Sequence, residues 1–546
     1  MEHTPTTDSE LSIDKQHGLA RTGTLRSEKL DELQMEAESI LEAIEVSSSN
    51  GSIHGDTDKD LEKAITAATD SAHEAATRTT TAQDWTGPDD PENPQNWTLL
   101  KRCMHIFPIA FLGFAVTAGS SMITPSTPEI EAHFHVSRTA AILSLSLFVL
   151  GLGIGPSIAA PISETFGRSI VYKGSAPIFM LFILGAGFSK TFGGLLVCRL
   201  LAGMSGGPVL AVGAGTNADL FPPRTRAISS TFYVMAPFLG PALGPVIGGF
   251  VAQYKGYRWT QWCTIFIALA AYAFILPMQE TYKKIILKRR AKRMNIAAPA
   301  AATQVKGLAY FKLLVTVTLA RPVHMLVTEP IVLFFSMYTA FTFSVLFGFF
   351  AAYPFTFESV YGFNTWQYGL TFLGIGIGVL LAVVTAIVLD RKVYMAKHRQ
   401  ALKEGRTVVA PEHRLYVGMV GAFGVPIGLF WFAWTARPDV HWISPVLAGI
   451  PFAWGNLCVF VAAATYLIDT YGPLNGASAI AANGLARYAM GAAFPLFTFQ
   501  MYSKLGIGWA TSLLGFISVV MLPIPWIFFK YGSAIRAKSK YETIRA

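Results

Sequence analysis

Twelve apolar stretches follow a long polar beginning, at residues 102–125, 138–162, 171–189, 193–217, 227–252, 262–280, 329–353, 366–389, 415–434, 443–468, 476–501 and 508–530. A helix rises about 1.5 Å per residue, so roughly 20 apolar residues cross a hydrocarbon core about 30 Å thick. Each stretch has about that length, and a dozen in series cannot all be buried helices of a water-soluble protein. The pattern predicts an all-α membrane protein with 12 transmembrane helices. The longest polar interruption, residues 281–328, divides them six and six. The expected organisation is a disordered acidic tail (1–100), a first six-helix bundle (101–280), a basic linker (281–328), a second, pseudo-symmetric six-helix bundle (329–530) and a C-terminal tail (531–546).

Charge gives this pattern a direction. Hydrophobic residues make up 52% of the chain and charged residues 14%, against roughly 25% charged in soluble domains. Residues 1–100 hold 21 of the 34 acids and 7 of the 43 Lys and Arg, so the remaining 446 residues carry a net charge of +23. Residues 1–84 bury too little apolar surface to offset chain entropy and are expected to be disordered, with transient helical spacing at 25–46. With the amino terminus in the cytosol, 28 Lys and Arg fall on inner segments. Six (Arg138, Lys190, Lys255, Arg258, Arg437 and Lys504) fall on outer ones. The positive-inside rule then places both termini in the cytoplasm, and the high pI is no nucleic-acid footprint.

Other local signals follow from this topology. The run Lys283, Lys284, Lys288, Arg289, Arg290, Lys292 and Arg293 is either a topology anchor or a contact to an anionic leaflet, at about 1 kcal/mol per residue. The first apolar run begins only after residue 100, so no cleavable signal peptide is expected and the first span directs its own insertion. The four cysteines sit in or beside apolar runs and read as small hydrophobes. The sequon Asn96-Trp97-Thr98 stays cytosolic and silent.

Few residues inside the spans carry chemistry. Arg199 lies about six residues, roughly 9 Å, into the fourth span. A charge there faces the bundle interior, a cavity or a partner, or else snorkels outward; biasing a nearby carboxylate or water would give it a share in proton coupling. Asp219, Glu329 and Asp469 stand at inner span ends. A carboxylate that is partly desolvated there suits proton uptake and release. Asp219 is the first candidate, its competing reading being a surface pair with Arg224 and Arg226. Glu329 opens its helix, where an acid simply suits the dipole. The seventh span and its end carry ten aromatic residues between Phe334 and Phe355. Phe341 and Phe347, with Tyr233 and Phe238 of span five and Asn483 and Arg487 of span eleven, are the candidate cavity lining. Their rings would offer cation–π contacts to organic cations, and Asn483 and Arg487, four apart, share a helix face.

Three segments stand in a recognisable order: Ala160-Pro-Ile-Ser-Glu164-Thr-Phe-Gly167-Arg168 after span two, Arg199-Leu-Leu-Ala-Gly203 in span four, and Gly240-Pro-Ala-Leu-Gly244-Pro245-Val-Ile-Gly248-Gly249 in span five. They resemble the loop signature, intramembrane arginine motif and antiporter motif of the major facilitator superfamily. Pro94-Gln-Asn-Trp97, Glu280-Thr-Tyr282, Pro411-Glu-His-Arg414-Leu415 and the stretch Ala477–Pro495 resemble its fungal twelve-spanner drug:proton antiporters, the group that includes polyamine and azole exporters. The resemblance covers about residues 90–535. It departs at Glu164, where Asp is commoner, at Thr165, where a base is common, and at Asp390-Arg391, a reduced second copy of the loop signature.

The resemblance implies that Glu164, Gly167 and Arg168 form a gate that stabilises the outward-facing state through the start of span eleven. The alternative is a static surface ion pair worth about 0–1 kcal/mol. It also favours Asp219 for proton coupling, with Arg199 and Asp469 beside it. Gly240, Gly244, Pro245, Gly248 and Gly249 would pack the halves tightly against proton leak, small residues permitting close backbone approach. The expected function is proton-coupled efflux of small amphipathic molecules (a fungal secondary metabolite or toxin, or an antifungal drug) from the cytosol. Such a protein is a secondary active transporter and not an enzyme. Its partners would be its small-molecule cargo, protons and the lipid bilayer, with no nucleic acid, cofactor or metal, and no ATP site, since a Walker-type loop is missing. It would act as a monomer in the plasma membrane, or in the vacuolar membrane. The rivals are a polyamine exporter, a nutrient facilitator or symporter, and a transport-dead membrane sensor using the acidic tail.

Overall fold

The structure, a computed structural model, describes residues 84–295, 320–404 and 409–543. The expectations for the tail before residue 84, including the helical spacing at 25–46, and for the middle of the linker lie outside the described residues. Among the described residues every regular element is helical. The first region comprises α1 (Leu99–Ser121), α2 (Arg138–Phe166), α3 (Arg168–Phe188), α4 (Phe192–Gly206), α5 (Pro208–Leu220), α6 (Pro223–Lys255) and α7 (Tyr257–Ile275). The basic run forms α8 (Lys283–Arg293). The second region comprises α9 (Pro330–Tyr361), α10 (Leu373–Leu389), α11 (Gly424–Thr435), α12 (Ile443–Met521) and α13 (Ile524–Arg536), with short helices between them.

Ten helical segments among the described residues are long and apolar enough to cross a membrane. Leu181, Phe188, Val197, Val384, Trp509 and Val520 all stand exposed on the outside. In water such a surface costs roughly 25 cal/mol per Å²; in lipid it costs nothing. The chain is a multi-pass membrane protein.

Local chemistry sets the helix ends. Thr98 and Ser137 cap α1 and α2, their side chains accepting from the amides of Lys101 and Ala140 at 3.4 and 3.3 Å. The helix α7 begins five residues before the apolar run at 262–280. Gly256, at φ 84°, lets the chain reverse there, and Pro277 stops the helix short of the run's end. The 79 residues of α12 would measure about 119 Å if straight. Gly472 and Gly506, at φ 63° and 73°, turn the chain inside it.

Packing is strongest within each region. In the first, α1 packs on α6 and α7, and α4 on α2 and α3; in the second, α9, α10 and α11 all pack on α12. Between the regions, α2 meets α12 and α6 meets α10. At the end of the molecule that holds Arg138, Tyr368 Oη donates to Pro125 O (3.1 Å), Phe250 stacks on Trp366 (5.4 Å) and Arg138 lies 4.2 Å from the Phe499 ring. Nearer the middle, Phe238 meets Phe460 at 5.0 Å.

The opposite end carries two tethers. Arg290 on α8 donates to Asp90 at 2.8 Å and to Glu92 at 2.7 Å, and Arg293 also pairs with Glu92. One base of the linker run is therefore buried against protein and not displayed to lipid. Hydrogen bonds from the Arg290 guanidinium, aided by the Thr86 and Glu92 amides against the opposing effect of burial, hold the Asp90 carboxyl well below the usual carboxylate range. Glu329 sits at the start of α9, yet its carboxylate leaves the helix end uncapped. It accepts instead from Tyr471 Oη (2.8 Å), Ser539 Oγ (2.7 Å) and the Lys540 amide (3.0 Å).

Candidate functional site

Where the two regions meet near mid-helix they leave a cavity of about 80 Å³. That is room for several waters and too little for a multi-ring molecule, so loading requires the surrounding rings to move. Of the candidate lining residues, Tyr233, Phe238, Phe347 and Arg487 lie on its wall. Phe341 and Asn483 do not. Phe341 is buried against Phe494 at 6.5 Å, and the Asn483 amide donates to Thr339 Oγ1 at 2.7 Å inside the second region. Four-residue spacing put Asn483 and Arg487 on one face, but a cavity this small reaches only the second of them.

The Tyr233 hydroxyl is spent on the carbonyls of Val209 and Leu210 (2.9 and 3.1 Å), so this residue offers the cavity a ring and not a donor. Thr117, Ser120, Phe460 and Tyr488 also line the cavity and were missed. A usable signal existed for Tyr488, which adjoins Arg487; Thr117 and Ser120 looked like ordinary small residues of an apolar helix. Phe343, Phe460 and Tyr488 lie 4.6–4.8 Å from the Arg487 guanidinium. Three rings beside the cavity are thus already engaged by the protein's own cation.

Arg199 is fully buried, which removes the snorkelling alternative. Its guanidinium donates to Gly119 O (2.9 Å), Ser120 O (3.0 Å) and Ser144 O (3.0 Å). Gly119 and Ser120 belong to the last turn of α1, whose final carbonyls lack partners within the helix. A cation at a helix C-terminus also suits the dipole. The expected nearby carboxylate is not among its bonded partners. Arg199 caps α1 and ties it to α2 and α4.

At the end opposite Arg138, Arg168 Nε donates to Asp219 Oδ2 at 3.4 Å and its NH1 to Ser163 Oγ at 2.7 Å. Glu164 stands exposed and makes no ion pair among the described residues. The partner of Arg168 is thus the candidate acid itself, and Arg226 turns to the carbonyls of Ala218 and Phe221; the Arg224 side chain lies outside the described residues. Gly167 is needed twice over. Its φ is 108°, and a β-carbon there would strike the Glu280 carboxylate. Glu280 accepts from the amides of Arg168 (2.9 Å), Ser169 (3.2 Å), Thr281 (3.0 Å) and Tyr282 (3.0 Å). It places a negative charge on the positive end of α3. The segment Glu280-Thr-Tyr282 marked this residue in the sequence, but nothing there assigned it the role.

The second region holds a related cluster. Arg414 Nε donates to Asp469 at 2.7 Å and its NH1 to Asp390 at 3.3 Å, while the guanidinium stacks 3.7 Å from the Tyr394 ring. Glu412 accepts from Arg536 at 2.9 and 3.0 Å. Asp390, the remnant of the second loop signature, is part of a working ion-pair set.

The glycines of α6 correct another expectation. A β-carbon at Gly240 would collide with Thr117, one at Gly244 with Ser121, and one at Gly248 with the Met122 carbonyl. Spaced by four, these three form a ridge that seats α1 within the first region. Gly249, 2.9 Å from Thr365 O as a notional β-carbon, and Pro245, whose carbonyl crowds Gly369, face the second region instead. The motif seals one region internally more than it seals the two together, because residues four apart share one face of a helix and that face meets α1.

A family model described as Major Facilitator Superfamily matches residues 109–495. The chain is 42% identical over 482 residues to polyamine transporter 4 of Saccharomyces cerevisiae, covering 84% of this chain and 73% of that one. It is 38% identical to the ascochitine biosynthesis cluster MFS transporter of Didymella fabae, over 85% of this chain and 89% of that one. It is also 38% identical to the MFS-type efflux pump MFS2 of Trichophyton rubrum, over 83% and 76%. With apolar helices of membrane-crossing length, an arginine-braced first region and relatives that are fungal transporters, the chain belongs to the major facilitator superfamily.

Proposed function

We propose that this protein is a proton-coupled exporter of small amphipathic molecules from the cytosol, a secondary active transporter of the plasma membrane with both termini cytoplasmic. Counting Asn475–Arg536, which bends at Gly506, as two spans and adding Tyr257–Ile275 raises the ten membrane-length segments to twelve. They form two six-helix bundles about the central cavity. The observation that carries this reading is the cavity itself: rings from both regions line it, the contact between Tyr368 and Pro125 joins the regions at one end, and ion pairs lie within each region at the other. Two bundles joined in this way can rock about a central site.

Asp219 is the coupling group. Paired with Arg168 it is ionised; released, it takes a proton, and the change of partner moves the end of α5 relative to α3. Asp469 and Arg414 supply a second, tighter pair. Arg199 serves the cycle by position, holding α1 against α2 and α4. Glu164, free of any ion pair among the described residues, is the gate residue that engages the start of the eleventh span when the outer end opens.

The test is the full chain in vesicles with an imposed pH gradient and a fluorescent amphipathic dye. Movement of dye toward the acidic side, at least tenfold faster than in empty vesicles, is expected, and its loss in folded Asp219→Asn. A gradient that drives no solute would remove the exchanger reading, and movement with the protons would favour a symporter. The 42% identity to a protein named as a polyamine transporter supports a second reading, polyamine export; spermidine counterflow in the same vesicles tests it.

A further inference from the structure

The cavity carries a cation that the protein leaves unused. Arg199 and Arg487 are both arginines within membrane helices, one in each region, and their surroundings differ sharply. Arg199 places three N–H groups on three carbonyls. Arg487 Nε is buried with no hydrogen-bond partner among the described residues. Its guanidinium lies within 4.8 Å of the rings of Phe343, Phe460 and Tyr488. Among the described residues no carboxylate lines the cavity; its other polar side chains are Thr117, Ser120 and two tyrosines. The Thr117 and Ser120 hydroxyls are donated to backbone carbonyls of α1. A buried donor without a partner is costly, and a fold with no use for it could pair it as it pairs Arg199.

We propose that Arg487 is the anion-recognising group of the transport cavity, and that the cargo class is an acidic aromatic compound, bearing a carboxylate or ionised phenol beside a planar ring, and not a polycation. The inference rests on the exporter reading for its meaning as cargo selection, though the binding site stands apart from the direction of transport. The chemistry is specific. The guanidinium fork matches a carboxylate with two parallel donors, and Arg487 is among the residues that line the cavity. Phe238 and Phe347 on the cavity wall offer the planar part of such a molecule an apolar surface. A polyamine would meet a like charge with no acid to offset it.

The experiment uses the purified full chain and four probes: naphthoate, naphthamide, naphthylmethylammonium and spermidine. Binding is followed by tryptophan fluorescence, and transport in vesicles. The wild type should bind naphthoate at least tenfold more tightly than naphthamide, with the two cations weakest. Arg487→Gln should erase that preference, weakening naphthoate by ten- to a hundredfold and leaving naphthamide within threefold. Arg487→Lys, which keeps charge but loses the fork, should fall between. Thermal unfolding checks that each variant is folded; if the Gln variant is not, the wild-type ratio and the Lys variant decide. Equal or better binding of naphthamide or a cation by the wild type, or no binding of any probe, overturns the proposal. So does an equal loss of all probes in folded Arg487→Gln. Naphthoate that binds through Arg487 but does not cross the vesicle under a pH gradient would spare this site and remove the exporter reading. Spermidine transport without naphthoate binding would do the reverse.

Discussion

The charged clusters at the same end of the two regions perform one task with different chemistry. Each ties together the ends of neighbouring helices. In the first, one arginine faces one acid at 3.4 Å, and Glu280 binds backbone amides. In the second, one arginine faces two acids at 2.7 and 3.3 Å, and Glu412 binds a second arginine, Arg536. A carboxylate on a helix N-terminus can leave without stranding a charge, because the amides are neutral. Arg414, shared by Asp390 and Asp469, cannot leave without stranding two. One guanidinium shared by two acids has more to lose on opening than the single Arg168–Asp219 pair, which favours the proposal of Asp219 over Asp469 as the coupling group.

Mutation can break this contrast. The largest effect is expected from Arg414→Ala, which leaves Asp390 and Asp469 facing each other uncompensated. It should cost about 3 kcal/mol, against about 1 kcal/mol for Arg168→Ala, which breaks one longer pair and leaves a single acid behind. Equal falls in the unfolding midpoint of the detergent-solubilised protein would remove the distinction. Next, Asp219→Asn should reduce pH-driven export at least tenfold, roughly 1.4 kcal/mol or more, with Asp469→Asn under threefold. Vesicle transport rates check this, and similar losses at both sites would make the clusters functionally equivalent.

Glutamine substitutions sharpen the point at the neighbouring acids. Glu412→Gln removes the charge opposite Arg536 and should destabilise by about 2 kcal/mol. Glu280→Gln keeps an oxygen for the α3 amides and should cost about half as much. The smallest effect concerns the tether beside Glu280. The Asp90 carboxyl titrates lower when folded than when unfolded, so its contribution is complete above about pH 4 and is lost only as pH falls below that. A distance label between residues 87 and 294 should therefore read the same from pH 8 to pH 5. Release within that range would show that the pairing with Arg290 is not what holds this segment.

Much of the membrane organisation was legible in the chain itself. Apolar runs of spanning length and the motif order around Arg168, Arg199 and Gly240 report local constraints. A lipid core demands length and hydropathy residue by residue, and a Gly at φ 108° or a Pro at a helix end acts on its immediate neighbours. These features require no knowledge of the partner helix.

Only the tertiary structure decided who meets whom. It turned Gly240, Gly244 and Gly248 toward α1, gave Arg168 to Asp219 in place of Glu164, withdrew Phe341 and Asn483 from the cavity, and set Arg487 among three rings. The physical reason is helix rotation. In water, an apolar stripe tells which face is inward; in lipid, inward and outward faces are both apolar, and the pattern leaves the angle open. The partner of a buried charge depends on that angle, and so it became known only once the helices were in place.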